Sequence, residues 1–206
     1  MSGRAGAVVA AVLALTMFVA LAPRHGGPAL AAGNADYDPQ TGYRIGNYRS
    51  PLPPDVPGGK RVDADDIDAL LPKGALLLDV MPAEGPGYDA ATGAWLGPTH
   101  DTIPGSVWLP DVGRGRLSSE VDCYFRAELD RRTGGDKAKP LVFFCQSDCW
   151  MSWNAVQRAR GYGYTDLYWY PEGGDGWRDW DRKLTPAAAV PVPRNLLDAA
   201  TGRCRF

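Results

Sequence analysis

Two cysteines stand four positions apart in Cys145-Gln146-Ser147-Asp148-Cys149-Trp150. A thiolate is a strong nucleophile, and two thiols this close can pass between dithiol and disulfide. They can bond only if the turn curls enough to bring their Cα atoms within ~7 Å. The plain alternatives are an inert structural disulfide or a buried core cysteine. The intervening residues carry no cation and one acid, Asp148, which repels an anionic sulfur donor such as thiosulfate. Arg158 and Arg160 lie two or more helical turns further on.

The flanking residues say what positions this pair. Leu141-Val142-Phe143-Phe144 is a short apolar run, which reads as a buried strand, and Ser152 to Arg160 reads as a helix. A cysteine closing a strand ahead of a helix faces the amide N–H groups of the turn, which favour a charged sulfur. In this reading Cys145 is the attacking thiolate and Cys149 the resolving thiol. Gln146, Ser147, Asp148, Trp150, Met151 and Ser152 form the loop that meets a small sulfur or thiol substrate. Trp150 is expected as a cap over the cysteine pair, with plain core packing as the alternative. Cys145, Cys149, Met151 and His100 are also soft ligands suited to Cu(I), so soft-metal handling is a further alternative. No resident metal or cofactor is expected.

Further strands are expected at Ala75 to Val80, Val107 to Leu109 and Leu167 to Tyr170, with helices over 64–71 and 117–132. Strands alternating with helices predict an α/β fold with a parallel sheet, whose sites lie at strand carboxyl ends. Residues 32–59 read as an irregular arm, 60–185 as the domain and 186–206 as a Pro-rich tail packed on it. Cys123 and Cys204 can tie that tail down, although four cysteines allow three connectivities.

Residues 1–31 read as a secretory signal peptide. Arg4 precedes an uncharged run from Ala7 to Ala22, Pro23 and Gly26 break it, and Ala29-Leu30-Ala31 offers a cleavage site. The run is shorter than the ~20 residues needed to span a bilayer. The expectation is export to the periplasm, with no membrane attachment after cleavage and an oxidising setting for the cysteines. Loss of Arg4, Arg24 and His25 makes the chain more acidic than its formal −2 and leaves His100 as its one histidine. A mildly acidic chain with one histidine argues against a multi-histidine metal site and against a nucleic-acid partner.

The same residues resemble a known family, the rhodanese-like domains. Leu76-Leu77-Leu78-Asp79-Val80 is similar to its first core strand with a closing Asp. His100-Asp101-Thr102-Ile103-Pro104-Gly105 is similar to its H-I-P-G turn with two residues inserted. Leu141 to Cys145 resembles the strand that delivers the active cysteine, and Glu172-Gly173-Gly174 with Trp177 resembles its closing element. The resemblance implies an approximately five-stranded parallel sheet flanked by helices on both faces. It also implies sulfurtransferase or thiol chemistry at Cys145, with His100 and Asp79 as accessory residues. More narrowly, Cys149-Trp150-Met151-Ser152-Trp153, Asp175-Gly176-Trp177 and the arm around Tyr43-Arg44 and Tyr48-Arg49-Ser50-Pro51 resemble the exported CXXCW-motif proteins of PQQ-dependent catabolism. Here three residues, not two, separate the cysteines. That likeness implies a periplasmic PQQ-dependent dehydrogenase or cytochrome as partner. A non-catalytic module presenting Trp150 and the arm to such a partner is the second reading.

Overall fold

The structure is a computed structural model and describes residues 35–206, so the expected leader lies outside the described residues. In chain order the elements are β1 (Lys60–Arg61), α1 (Ala64–Leu70), β2 (Leu76–Asp79), β3 (His100–Thr102), β4 (Val107–Trp108), α2 (Ser119–Thr133), β5 (Leu141–Phe144), α3 (Trp150–Gly161), β6 (Leu167–Tyr170), α4 (Gly173–Asp179) and β7 (Thr185–Ala187).

Five strands form one parallel sheet in the order β1-β6-β5-β2-β4. Alternation along each central strand sends side chains to opposite faces. Leu78, Leu141, Phe143, Leu167 and Trp169 pack with α2 and α3, while Leu77, Val142, Phe144 and Tyr170 pack with α1 and α4. Both faces are covered, which is why β5 is an unbroken apolar run. The helices are begun by local chemistry. Asp63 caps α1 through the Asp65 and Asp66 amides, and Ser118 caps α2 through Val121 N.

The structure departs from the expectations in four places. The fifth strand, β1, is a two-residue exposed edge with no hydrophobic pattern to betray it. Neither β3 nor β7 was expected, and the two pair antiparallel in a separate two-stranded sheet. α3 begins at Trp150 rather than Ser152, so Trp150, Met151 and Ser152 form its first turn. Gly173–Asp179, to which no secondary structure was assigned, is a helix.

The arm is seated on α3. Asn154 receives the Arg44 amide at 2.9 Å and donates to the Arg44 and Gly113 carbonyls at 2.8 and 2.9 Å. The Trp153 indole donates to Asp55 O at 3.0 Å. The tail is joined to α2 by a Cys123–Cys204 disulfide, so the cysteines pair as 123–204 and 145–149.

Candidate active site

Cys145 leaves the carboxyl end of β5, and Cys149 is the residue before α3. Asp148, at φ 53°, turns the chain through the left-handed region and stays exposed. The curl brings the two Cα atoms to 6.2 Å, and the sulfurs are bonded. Both cysteines are buried, but Cys145 lines a cavity of about 270 Å³ together with Met81, His100, Asp101, Gln146, Asp175 and Arg178.

Asp79 organises one wall of that cavity. Its carboxylate is fully buried at the end of β2. Oδ1 accepts the Met81 amide at 2.8 Å, and Oδ2 accepts Thr102 Oγ1 at 2.5 Å and His100 Nε2 at 2.7 Å. A buried carboxylate must be satisfied by donors, and Asp79 has three. His100 Nε2 faces that carboxylate, and the neutral tautomer that donates to it is the one that keeps Nδ1 as an acceptor. The imidazole is also packed on Trp108, with ring centroids 5.0 Å apart. Beside it, Met81 Sδ lies 3.6 Å from Cys145 Sγ.

The opposite wall is the β6–α4 turn. Gly174 N donates to Cys145 O at 3.0 Å, and Ser147 Oγ donates to Glu172 O at 3.1 Å. At Gly173 (φ +57°) a Cβ would sit 2.5 Å from Cys145 O, so the close approach requires glycine. α4 also supplies the cation that the cysteine turn lacks. Arg178 reaches the cavity, although it is exposed and its guanidinium is paired with Asp175 Oδ1 at 2.8 Å. Arg158 is elsewhere, buried, donating to the carbonyls of Val112, Arg114 and Gly115.

Several sequence expectations change at this point. The anion cradle of turn amides is engaged from within: Ser147 N donates to Asp175 Oδ2 at 3.1 Å and Trp150 N to Tyr48 O at 2.9 Å. A carboxylate of the protein already occupies part of the space an anionic donor would take. Trp150 does not cap the pair. Its indole is buried under the arm, donating to Ser50 Oγ at 2.8 Å, with Arg44 stacked 4.6 Å over the ring and Tyr37 and Trp153 edge-on. Arm and indole therefore cover each other, and Trp150 is not a free contact surface for a partner. Met151 is turned into the core against Gly113, and Ser152 is a buried bridge, donating to Cys149 O and accepting Trp169 Nε1. Of the expected loop, only Cys145 and Gln146 line the cavity, joined by His100.

Met81, Asp175 and Arg178 were missed. Met81 follows the strand-closing Asp by two residues, and that spacing was the available signal. Asp175 was marked only as part of the Asp175-Gly176-Trp177 resemblance and Arg178 had no signal, because their place at the cavity depends on α4 forming.

The family described as Rhodanese-like domain matches residues 63–179, more than half of the chain. The chain belongs to the rhodanese-like domain family. Among solved structures it is similar to the human single-domain sulfurtransferase TSTD1, at 26% identity over 59% of this chain and 97% of that one, with a TM-score of 0.39. It is also similar to the polysulfide-sulfur transferase homodimer from Wolinella succinogenes, at 18% identity over 62% of this chain and 79% of that one, TM-score 0.38. A thiosulfate sulfurtransferase from Pseudomonas aeruginosa matches at 18% identity over 62% of this chain and 20% of that one, TM-score 0.40. No curated protein matches the chain.

Proposed function

We propose that this chain is a thiol–disulfide exchange protein on a rhodanese frame, with Cys145 as the reacting sulfur and Cys149 as its resolving partner. The observation that carries the reading is the Cys145–Cys149 bond beside a cavity that Cys145 shares with His100. In the reduced form His100 Nδ1 takes the Cys145 proton. The thiolate attacks one sulfur of a partner disulfide, and the other sulfur leaves as thiolate and is protonated. Cys149 then attacks the Cys145 sulfur of the mixed disulfide, closing the internal bond and expelling the partner's second thiol. The partner has gained two electrons and two protons, and the chain has lost them.

Sulfur transfer fits the same frame less well. A persulfide formed on Cys145 lies within reach of Cys149, whose thiol attacks the inner sulfur and expels hydrogen sulfide. The pair so closed stores no sulfur, and Asp175 and Asp101 at the cavity disfavour thiosulfate.

The test is exchange with oxidised and reduced glutathione, followed by mass spectrometry with alkylation. Cys145→Ser is expected to abolish exchange, whereas Cys149→Ser accumulates a mixed disulfide on Cys145. Exchange and sulfur transfer that survive Cys145→Ser would refute the reading.

The setting is part of the proposal. The secretory leader read in residues 1–31 and the likeness to the CXXCW-motif proteins support a periplasmic protein working beside a PQQ-dependent dehydrogenase or cytochrome. Pull-down with tagged full-length chain from cells growing on an alcohol is expected to recover such a quinoprotein. Recovery of none, with the chain found in the cytoplasm, removes this part.

A further inference from the structure

We infer that the disulfide exchanged at Cys145 carries positive charge beside its sulfurs, and that Asp175 sets this preference. The inference rests on the exchange reading above and names its substrate class. Three observations carry it. The first is where Asp175 stands. Its Oδ1 pairs with Arg178 at 2.8 Å, its Oδ2 accepts Ser147 N from the cysteine turn at 3.1 Å, and it lines the cavity with Cys145. A turn amide and a guanidinium are the groups that would receive an anion here. Both are taken by one carboxylate of the chain itself.

The second is the charge left over. Arg178 is the one arginine or lysine lining this cavity, and Asp175 neutralises it. Asp101 lines the same cavity, is exposed, and has no ion pair among the described residues. Asp148 is exposed on the cysteine turn and is equally unpaired. His100 is held by the buried Asp79, so those two together add no net positive charge. The balance at the mouth is negative. The third is size. A cavity of about 270 Å³ admits the substrate sulfurs and the few atoms next to them. A charge on those atoms lies well inside the ~8–10 Å over which salt screens, so its sign decides how well it is received.

The redox step is the exchange already written. A disulfide such as cystamine takes two electrons and two protons from the Cys145 and Cys149 thiols and leaves as two cysteamines, while the chain closes its internal bond.

The experiment oxidises the reduced full chain with three small disulfides: cystamine with two ammonium groups, uncharged 2-hydroxyethyl disulfide, and dithiodiglycolate with two carboxylates. Rates are read by alkylation quench and mass spectrometry. Each is divided by the rate of the same disulfide with 2-mercaptoethanol, which removes its intrinsic reactivity. At low salt the native chain is expected to favour cystamine over dithiodiglycolate about tenfold, with the uncharged disulfide between them and the ratio shrinking in high salt. Asp175→Asn keeps an oxygen for Ser147 N and loses the charge, and is expected to cut the ratio about threefold or more. Arg178→Gln, which leaves the Asp175 charge unpaired, raises it. A peptide cystine flanked by lysines that outpaces cystamine assigns a protein substrate, and one that lags assigns a small aminothiol disulfide. A ratio near one in the native chain overturns the inference, as does a ratio that Asp175→Asn leaves unchanged or Arg178→Gln lowers. Those results leave exchange at Cys145 standing. Oxidation of the native chain by none of the three disulfides sinks the exchange reading itself, and this inference with it.

Discussion

Asp79 accepts three hydrogen bonds while fully buried, and each donor has a different consequence. The Met81 amide can face only an oxygen. In Asp79→Asn, therefore, the new NH2 falls on the side of His100 and Thr102. Thr102 can rotate its hydroxyl to accept, but His100 must then accept at Nε2 and carry its proton on Nδ1. The imidazole is still present and its base is gone. Asp79→Asn is expected to slow iodoacetamide alkylation of reduced Cys145 and flatten its pH profile to that of His100→Gln, with the fold retained by circular dichroism. A wild-type profile in Asp79→Asn would show that the tautomer does not matter. Part of this could be read in advance: Cys145 and Cys149 were marked by type and spacing, and Asp79 and His100 by the resemblance to rhodanese-like domains. The roles of Trp150 and Met151 were not, because moving the start of α3 by two residues rotates both into its buried first turn. A turn's length is set by what packs on it, here the arm at Tyr48 and Ser50.

Three hairpins outside the sheet are built from one short sequence. Asp38-Pro39-Gln40-Thr41-Gly42, Asp89-Ala90-Ala91-Thr92-Gly93 and Asp198-Ala199-Ala200-Thr201-Gly202 repeat the same Asp, Thr and Gly. In each, Asp Oδ1 takes the amides two and three residues on, and the Gly, at φ 73°, 77° and 63°, lets the chain return. Bridges at Tyr37–Arg44, Tyr88–Trp95 and Leu197–Cys204 close them. The first sets Tyr37 against Trp150, the second sets Trp95 near Tyr124, and the third brings Cys204 to Cys123. The carboxyls of Asp38 and Asp198 are held below the usual aspartate value, the first chiefly by the Gln40 amide and the second chiefly by the Thr201 hydroxyl. A lowered carboxyl stabilises above its ordinary value and stops doing so as pH falls through the lowered one. The Gln40, Thr41, Ala200 and Thr201 amides are therefore expected to lose hydrogen-exchange protection in acid before β5 does. Loss in step with β5 would disprove it. This repeat was open to a search for internal similarity, since Asp-x-x-Thr-Gly is a turn signal in itself. β1, β3 and β7 were not open to such reading: two or three polar or Pro-bearing residues carry no period, and their pairing is decided by distant partners.

At the scale of the molecule, the sheet and its helices form one body, and arm and tail are fastened to it at separate points. The Cys123–Cys204 disulfide spans 81 residues. Disulfides typically contribute about 2–4 kcal/mol by restricting the unfolded chain, and a loop this long lies at or above the top of that range. Cys123→Ser/Cys204→Ser is expected to lower Tm by roughly 5–15 °C. It should leave glutathione exchange at Cys145 intact, since the site shares no residue with that fastening. An unchanged Tm would mean that the tail contributes nothing to holding the fold. The overall architecture was legible because buried parallel strands announce themselves as apolar runs. The fastenings were not, since they depend on which distant surfaces meet. Among the described residues no helix is long and apolar enough to cross a membrane.

The arm's seat has a consequence in time. Arg44, Ser50 and Asp55 bond to residues 98 to 110 positions downstream. Contacts at such separation form only after the intervening chain is ordered. What the ribosome makes early is thus settled late, and until then it is open to proteases. A cut there would spare the sheet yet strip the cover from two indoles, leaving a sticky flank on an otherwise finished molecule.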